Sequence, residues 1–163
     1  MNAAANWGNF FSATAAAAAA LAGLIFVSIS INLTKILTLV GVADRALEAM
    51  TLLLGVLLVS IVALAPGVPD RVLGAAIVAV EGVVWLIAVT LQLRQYRRRL
   101  QQPLWWLVNR VLLCQLAAVP FCIAGLSLLL GDAGAMAWTV PGTVFSFVGA
   151  ANSAWVLLIE ILR

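Results

Sequence analysis

Five apolar runs, each about as long as a helix that crosses a bilayer, occupy nearly all of this chain, and the charged residues fall almost entirely in the gaps between them. The runs cover roughly residues 13–33, 46–65, 72–93, 104–130 and 136–162. A hydrocarbon core about 30 Å thick takes roughly 20 helical residues to cross. The pattern therefore predicts an all-α fold: a polytopic transmembrane helical bundle of five spans, forming one membrane domain over 1–163. The gaps carry turn chemistry. Gly41 and Asp44 punctuate the first, with Asp44 expected as the N-cap of the second span. Pro66-Gly67 and Pro69 make a stiff second turn. The third span runs into Arg94-Gln95-Tyr96-Arg97-Arg98-Arg99, and Pro103 starts the fourth. Gly131-Asp132-Ala133-Gly134 is a short polar turn before the fifth.

Composition agrees with folding in lipid. Hydrophobic residues make up 65% of the 163 and charged residues 9%, against about half and a quarter in soluble domains. No Lys or Arg precedes Ala13, and the first run continues past any plausible cleavage site, so it reads as a membrane helix and not a signal peptide. The absence of histidine removes histidine-ligated haem, most zinc and copper sites and histidine acid–base catalysis. Cys114 and Cys122 lie eight residues apart in one run. On a helix that is about 12 Å of rise, too far for a disulfide, and they read as packing residues. No nucleophile–base pair, zinc spacing or phosphate loop is visible, so neither an enzyme nor a cofactor is expected.

Orientation follows from the basic residues. With the loop after the third span in the cytoplasm, Lys35, Arg45, Arg94, Arg97, Arg98, Arg99, Arg110 and Arg163 lie on the cytoplasmic side and only Arg71 on the other, a split of 8 to 1. The N-terminus is then outside and the C-terminus cytoplasmic, in a multi-pass protein of a bacterial inner (plasma) membrane. Trp7 and Trp138 fall at the outer interface, and Tyr96, Trp105 and Trp106 at the inner one. The net charge of +3 is accounted for by this anchoring. Arg97, Arg98 and Arg99 are expected to touch anionic lipid headgroups, and nucleic acid is not an expected partner.

Small residues let membrane helices approach closely. The first span offers Ala16, Ala19, Ala20 and Gly23, the third Gly74, Ala75, Ala79 and Gly82, and the fifth Gly142, Ser146, Gly149, Ala150 and Ser153. Spans one, three and five are thus expected at the centre, with the Leu- and Val-rich second span facing lipid.

A few polar residues interrupt the runs. Glu81 lies near mid-membrane in the third span, where ionisable groups are rare and face the bundle interior. Helical spacing sets Val78, Glu81, Trp85, Ala88 and Gln92 along one side. Two readings stay open: a proton- or cation-binding carboxylate, or a carboxyl hydrogen-bonded to a neighbouring helix. Asn152 and Ser153 are the polar pair of the fifth span, with Asn152 a candidate partner for Glu81 or Gln92. A second layer nearer the cytoplasm contains Asn32, Lys35, Glu48, Asn109, Arg110 and Glu160. Opposite charges at one depth suggest either a gate or a structural clasp, with Arg110 pairing Glu160 or Glu48.

The segment Asn9-Phe10-Phe11-Ser12-Ala13, the alanine run after it, and Leu21 through Leu33 with its Ser28-x-Ser30-x-Asn32 ending resemble small bacterial multi-span membrane proteins, some labelled "modulator of FtsH protease". The resemblance covers about the first thirty residues. It implies a regulatory partner of a membrane protease, and makes Ser28, Ser30 and Asn32 candidates for a polar site. The expected function is a non-catalytic partner or regulatory subunit of another membrane protein, assembled with that protein or as a homo-oligomer. The alternative is an oligomeric proton, cation or small-solute channel or transporter using Glu81.

Overall fold

The computed structural model describes residues 7–38, 41–98, 104–132 and 134–162, with all side chains among them except those at 95, 98, 104–107, 109–110 and 156–162. Every regular element is helical. In order these are α1 (Gly8–Ile31), α2 (Leu33–Thr38), α3 (Val42–Leu64), α4 (Asp70–Arg98), α5 (Leu104–Leu129), a 3-10 turn (Ala135–Trp138) and α6 (Thr139–Leu162). Among the described residues, four helical stretches are long and apolar enough to cross a membrane: Gly8–Ile31, Val42–Leu64, Asp70–Arg94 and Val111–Leu129.

The helix ends follow from local chemistry. α1 starts five residues before the expected boundary and stops at Asn32, whose side-chain amide donates to Ser28 O at 3.0 Å. The expected N-cap at Asp44 is corrected: Gly41 holds that position with φ 85°, and Asp44 is in the first turn of α3. Glycine takes the left-handed conformation that the entry needs, and an acidic first-turn residue still complements the helix dipole. α3 ends at Ala65, which is extended (ψ 125°) because Pro66 excludes the helical conformation from the residue before it. α5 closes in a Schellman motif at Gly131 (φ 85°), with Asp132 N donating to Ser127 O and Gly131 N to Leu128 O. Asp132 Oδ1 then accepts from Gly134 N at 2.9 Å, which shapes the turn into α6.

α3 is the central helix. It packs against α1, α4 and α6, while α4 packs on α5 and α5 on α6. This corrects the expected centre of spans one, three and five. In its most apolar window α3 is 56% buried and α1 only 17%. The reason is that lipid is as apolar as a leucine core, so Leu and Val do not mark the lipid-facing side. The polar residues mark the protein-facing side instead: Arg45, Glu48, Thr51 and Ser60 of α3 are all buried. Of the small residues on α1, Ala18 and Ala22 face inward, whereas Ala16, Ala19, Ala20 and Gly23 are exposed.

On α4 one of the four small residues expected to pack does so: Gly74 is buried, whereas Ala75 and Ala79 are exposed and an added Cβ on Gly82 would meet nothing within 4 Å. Gly74 of α4 and Gly125 of α5 bring two backbones into contact: a Cβ on Gly74 would lie 2.6 Å from Gly125 O. Gly142 of α6 receives the Phe121 ring, 2.6 Å from where its Cβ would be. Gly142, Ser146, Gly149 and Ala150 form one buried face of α6. Phe11, Val56, Val59, Leu73, Ile77 and Phe121 belong to the main apolar cluster, which joins α1, α3, α4 and α5.

Candidate functional site

Glu81 is buried, with 2% of its surface exposed. The inward face of α4 runs through Ile77, Glu81, Val84, Ala88 and Leu91, at the spacing of one helical face. Trp85, expected on the same stripe, is turned toward α5, where its indole N–H donates to Gln115 Oε1 at 3.0 Å. Across from Glu81 on α3 is Gly55. A Cβ there would lie 3.2 Å from Glu81 Oε1 and 3.0 Å from Val84 Cγ2. Oε1 has no hydrogen-bond partner among the described residues. Cys122 of α5 stands within electrostatic reach of the carboxyl.

A second polar pair occupies the same α3–α4 interface, nearer the C-terminal end of α4. Gln92 Nε2 donates to Glu48 Oε1 at 3.0 Å, and both residues are buried. One turn before Glu48 on α3, Arg45 is 5% exposed and engaged in a polar interaction. Thr51 donates to Leu47 O at 2.7 Å and so satisfies its hydroxyl within α3. Glu48 is seven residues from Gly55, about 10 Å of helix rise. Buried Leu52, Val84 and Ala117 cluster on this interface between the two polar points. The structure thus joins Glu48 to Gln92, a pair that the sequence analysis had not proposed.

The other candidates separate. Asn152 is exposed on α6 and makes no hydrogen bond with Glu81 or Gln92; Ser153 is half-buried. Asn32 spends its amide on its own helix, and Lys35 is exposed at its surface and engaged in an interaction. Tyr96 and Arg97 are exposed at the end of α4. The side chains of Arg98, Asn109, Arg110 and Glu160, and the whole of Arg99, lie outside the described residues, and with them the proposed Arg110 pairs.

Three features went unread in the sequence. Arg45 looked like an interface charge but is buried. Gly55, in the span expected to face lipid, lies against the Glu81 carboxyl. The third is an open groove of about 400 Å³ between α1, α3 and α6, walled by Leu24, Ile25, Ser28, Leu53, Ala150 and Trp155 among others. A signal for the first two was present: Arg45, Glu48, Thr51, Gly55 and Ser60 all fall on one half of α3, which marks that half as the protein side. Comparison with protein-family models, curated proteins and solved structures finds no match to this chain.

Proposed function

We propose that this chain is a five-span protein of a bacterial inner membrane, N-terminus outside and C-terminus cytoplasmic, acting as a non-catalytic subunit of another membrane protein. The observation that carries the reading is the groove between α1 and α6 with Asn152 exposed beside it, next to Ala151 in the groove wall. An amide left unpaired in hydrocarbon costs several kcal/mol, and a helix with a hydrogen-bonding side chain removes that cost. The fitting occupant is a transmembrane helix of the partner, with apolar residues against Leu24 and Trp155 and one polar side chain opposite Asn152. The 24 residues of α6 support the fifth span, the basic residues support the orientation, and the resemblance of the first span to proteins labelled as modulators of a membrane protease points the same way.

A photo-crosslinking residue placed at Ala151 tests the reading in native membranes. The expected product is one discrete protein adduct that disappears in Asn152→Leu while the chain stays inserted. Lipid adducts alone, or a protein adduct indifferent to Asn152, would refute it. An adduct of twice the chain's mass would move the surface to a homo-oligomer. A reporter fused after Arg163 is expected to read as cytoplasmic, and a periplasmic reading would reverse the topology.

A further inference from the structure

We propose that Glu81 is an intramembrane site that binds and releases a proton and is closed to metal cations, with Gly55 as the residue that makes room for its carboxyl. The inference is independent of the partner reading above and rests on placement, packing and ligand count.

Placement comes first. Glu81 lies eleven residues into α4, about 16 Å along a helix that needs roughly 30 Å to cross the core. The group is near the middle of the bilayer, and its side chain is turned inward against α3. Packing comes second. Glycine costs a helix interior about 1 kcal/mol relative to alanine, yet α3 carries one at position 55, opposite the carboxyl. The 3.2 Å from Oε1 to the site of an added Cβ shows why: any larger residue would press on that oxygen. The other two atoms nearest that added Cβ are the methyls of Val84, and Oε1 itself has no hydrogen-bond partner among the described residues.

Ligand count decides what such a pocket binds. A calcium ion takes six to eight oxygens, and magnesium takes an octahedron of them. No group of three or more His, Cys, Asp or Glu side chains placed to hold a metal ion exists among the described residues. Oε1 has no hydrogen-bond partner among the described residues. Cys122 is the titratable group that α5 brings near, and its thiol is a poor ligand for hard cations. α3 presents Gly55 here, and its nearest carboxyl, Glu48, is two turns away and bonded to Gln92. A proton needs a single lone pair. It is the one cation that this coordination shell satisfies.

The chemistry is a protonation equilibrium, carboxylate plus proton giving carboxylic acid, with no bond to any other group. The acid form is neutral and fits this buried position. The carboxylate form places an unsolvated charge between α3 and α4, so release of the proton is coupled to entry of water or parting of those helices.

The test is infrared difference spectroscopy on the full chain in lipid nanodiscs, titrated with acid and base. The expected result is a carboxylic-acid C=O band that is lost reversibly as pH rises, is absent from Glu81→Gln at every pH, and is unmoved by added sodium or calcium ions. Circular dichroism shows whether Glu81→Gln keeps the helical fold. Gly55→Ala is expected to shift the band, because its methyl meets Oε1, and an unshifted band would overturn the seat at Gly55. Three results would overturn the site itself: no band assignable to Glu81 at any pH where the protein remains helical, a band that persists at all of them, or a band displaced by sodium or calcium at constant pH.

Discussion

The crossing of α4 over α5 allows a quantitative test of how this bundle holds together. Gly74→Ala adds a methyl 2.6 Å from Gly125 O, 2.9 Å from Leu128 Cβ and 3.1 Å from Leu129 N. The first contact is about 0.8 Å short of ordinary separation (3.4 Å less 2.6 Å). All three neighbours are backbone atoms or a Cβ of one helix, so no flexible side-chain tip can swing away. Relief requires α4 to move off α5, which also loosens Val78 against Gly125. Overpacking of this kind costs about 1–3 kcal/mol. Against it stands the gain in helix propensity from glycine to alanine, about 1 kcal/mol. Gly82→Ala supplies the control on the same helix, because nothing lies within 4 Å of its added methyl and only the propensity gain operates. The propensity gain is common to both variants, so they should differ by the overpacking cost alone, about 1–3 kcal/mol, roughly 5- to 160-fold in the unfolding equilibrium. Reversible unfolding in mixed micelles, followed by circular dichroism as the denaturing detergent fraction rises, measures the difference. Equal stability of the two variants, within about 0.5 kcal/mol, would refute the claim that glycine contact sets the α4–α5 distance.

Two further outcomes are expected from the same unfolding assay. Gln92→Leu should destabilise by about 0.5–1.5 kcal/mol, because it removes the hydrogen bond from Gln92 Nε2 to Glu48 Oε1 across the α3–α4 interface, and a double-mutant cycle with Glu48→Gln should show non-additivity; strict additivity would mean that the pair does not couple α3 to α4. Thr14→Val should cost about 0.6–1 kcal/mol: Thr14 Oγ1 and Ser60 Oγ are 3.0 Å apart while each hydroxyl also reaches a carbonyl of its own helix, and a cost unchanged in a Ser60→Ala background would show that the α1–α3 contact contributes nothing.

How much of this was legible depends on which property carried the information. The all-helical character and the approximate positions of the long apolar helices were readable because crossing a bilayer demands a run of fixed length, and Leu, Val and Ile report that demand directly. Which helix is central was not readable from apolarity. A Leu-rich face is at ease against acyl chains and against another helix alike, so Leu53, fully buried, and Leu54, 43% exposed, are neighbours with the same chemistry. The discriminating residues are those that lipid penalises. Arg45, Glu48, Thr51 and Ser60 face inward on α3, and reading them before the alanines of α1 would have put α3 at the centre. Small residues mislead when taken alone, since size permits close approach without requiring it: Gly74 and Gly125 meet, whereas Gly23 and Gly82 meet nothing within 4 Å. Glu81 illustrates the same division. Its depth and inward direction follow from one helix and were expected. Its pairing with a glycine on another helix depends on the register between α3 and α4, which no single-helix pattern contains. Asn152 stands on the other side of that line: its position within one helix was legible, but that α6 turns it outward, away from the Glu81 and Gln92 it was expected to join, depends on how α6 packs on α3 and α5.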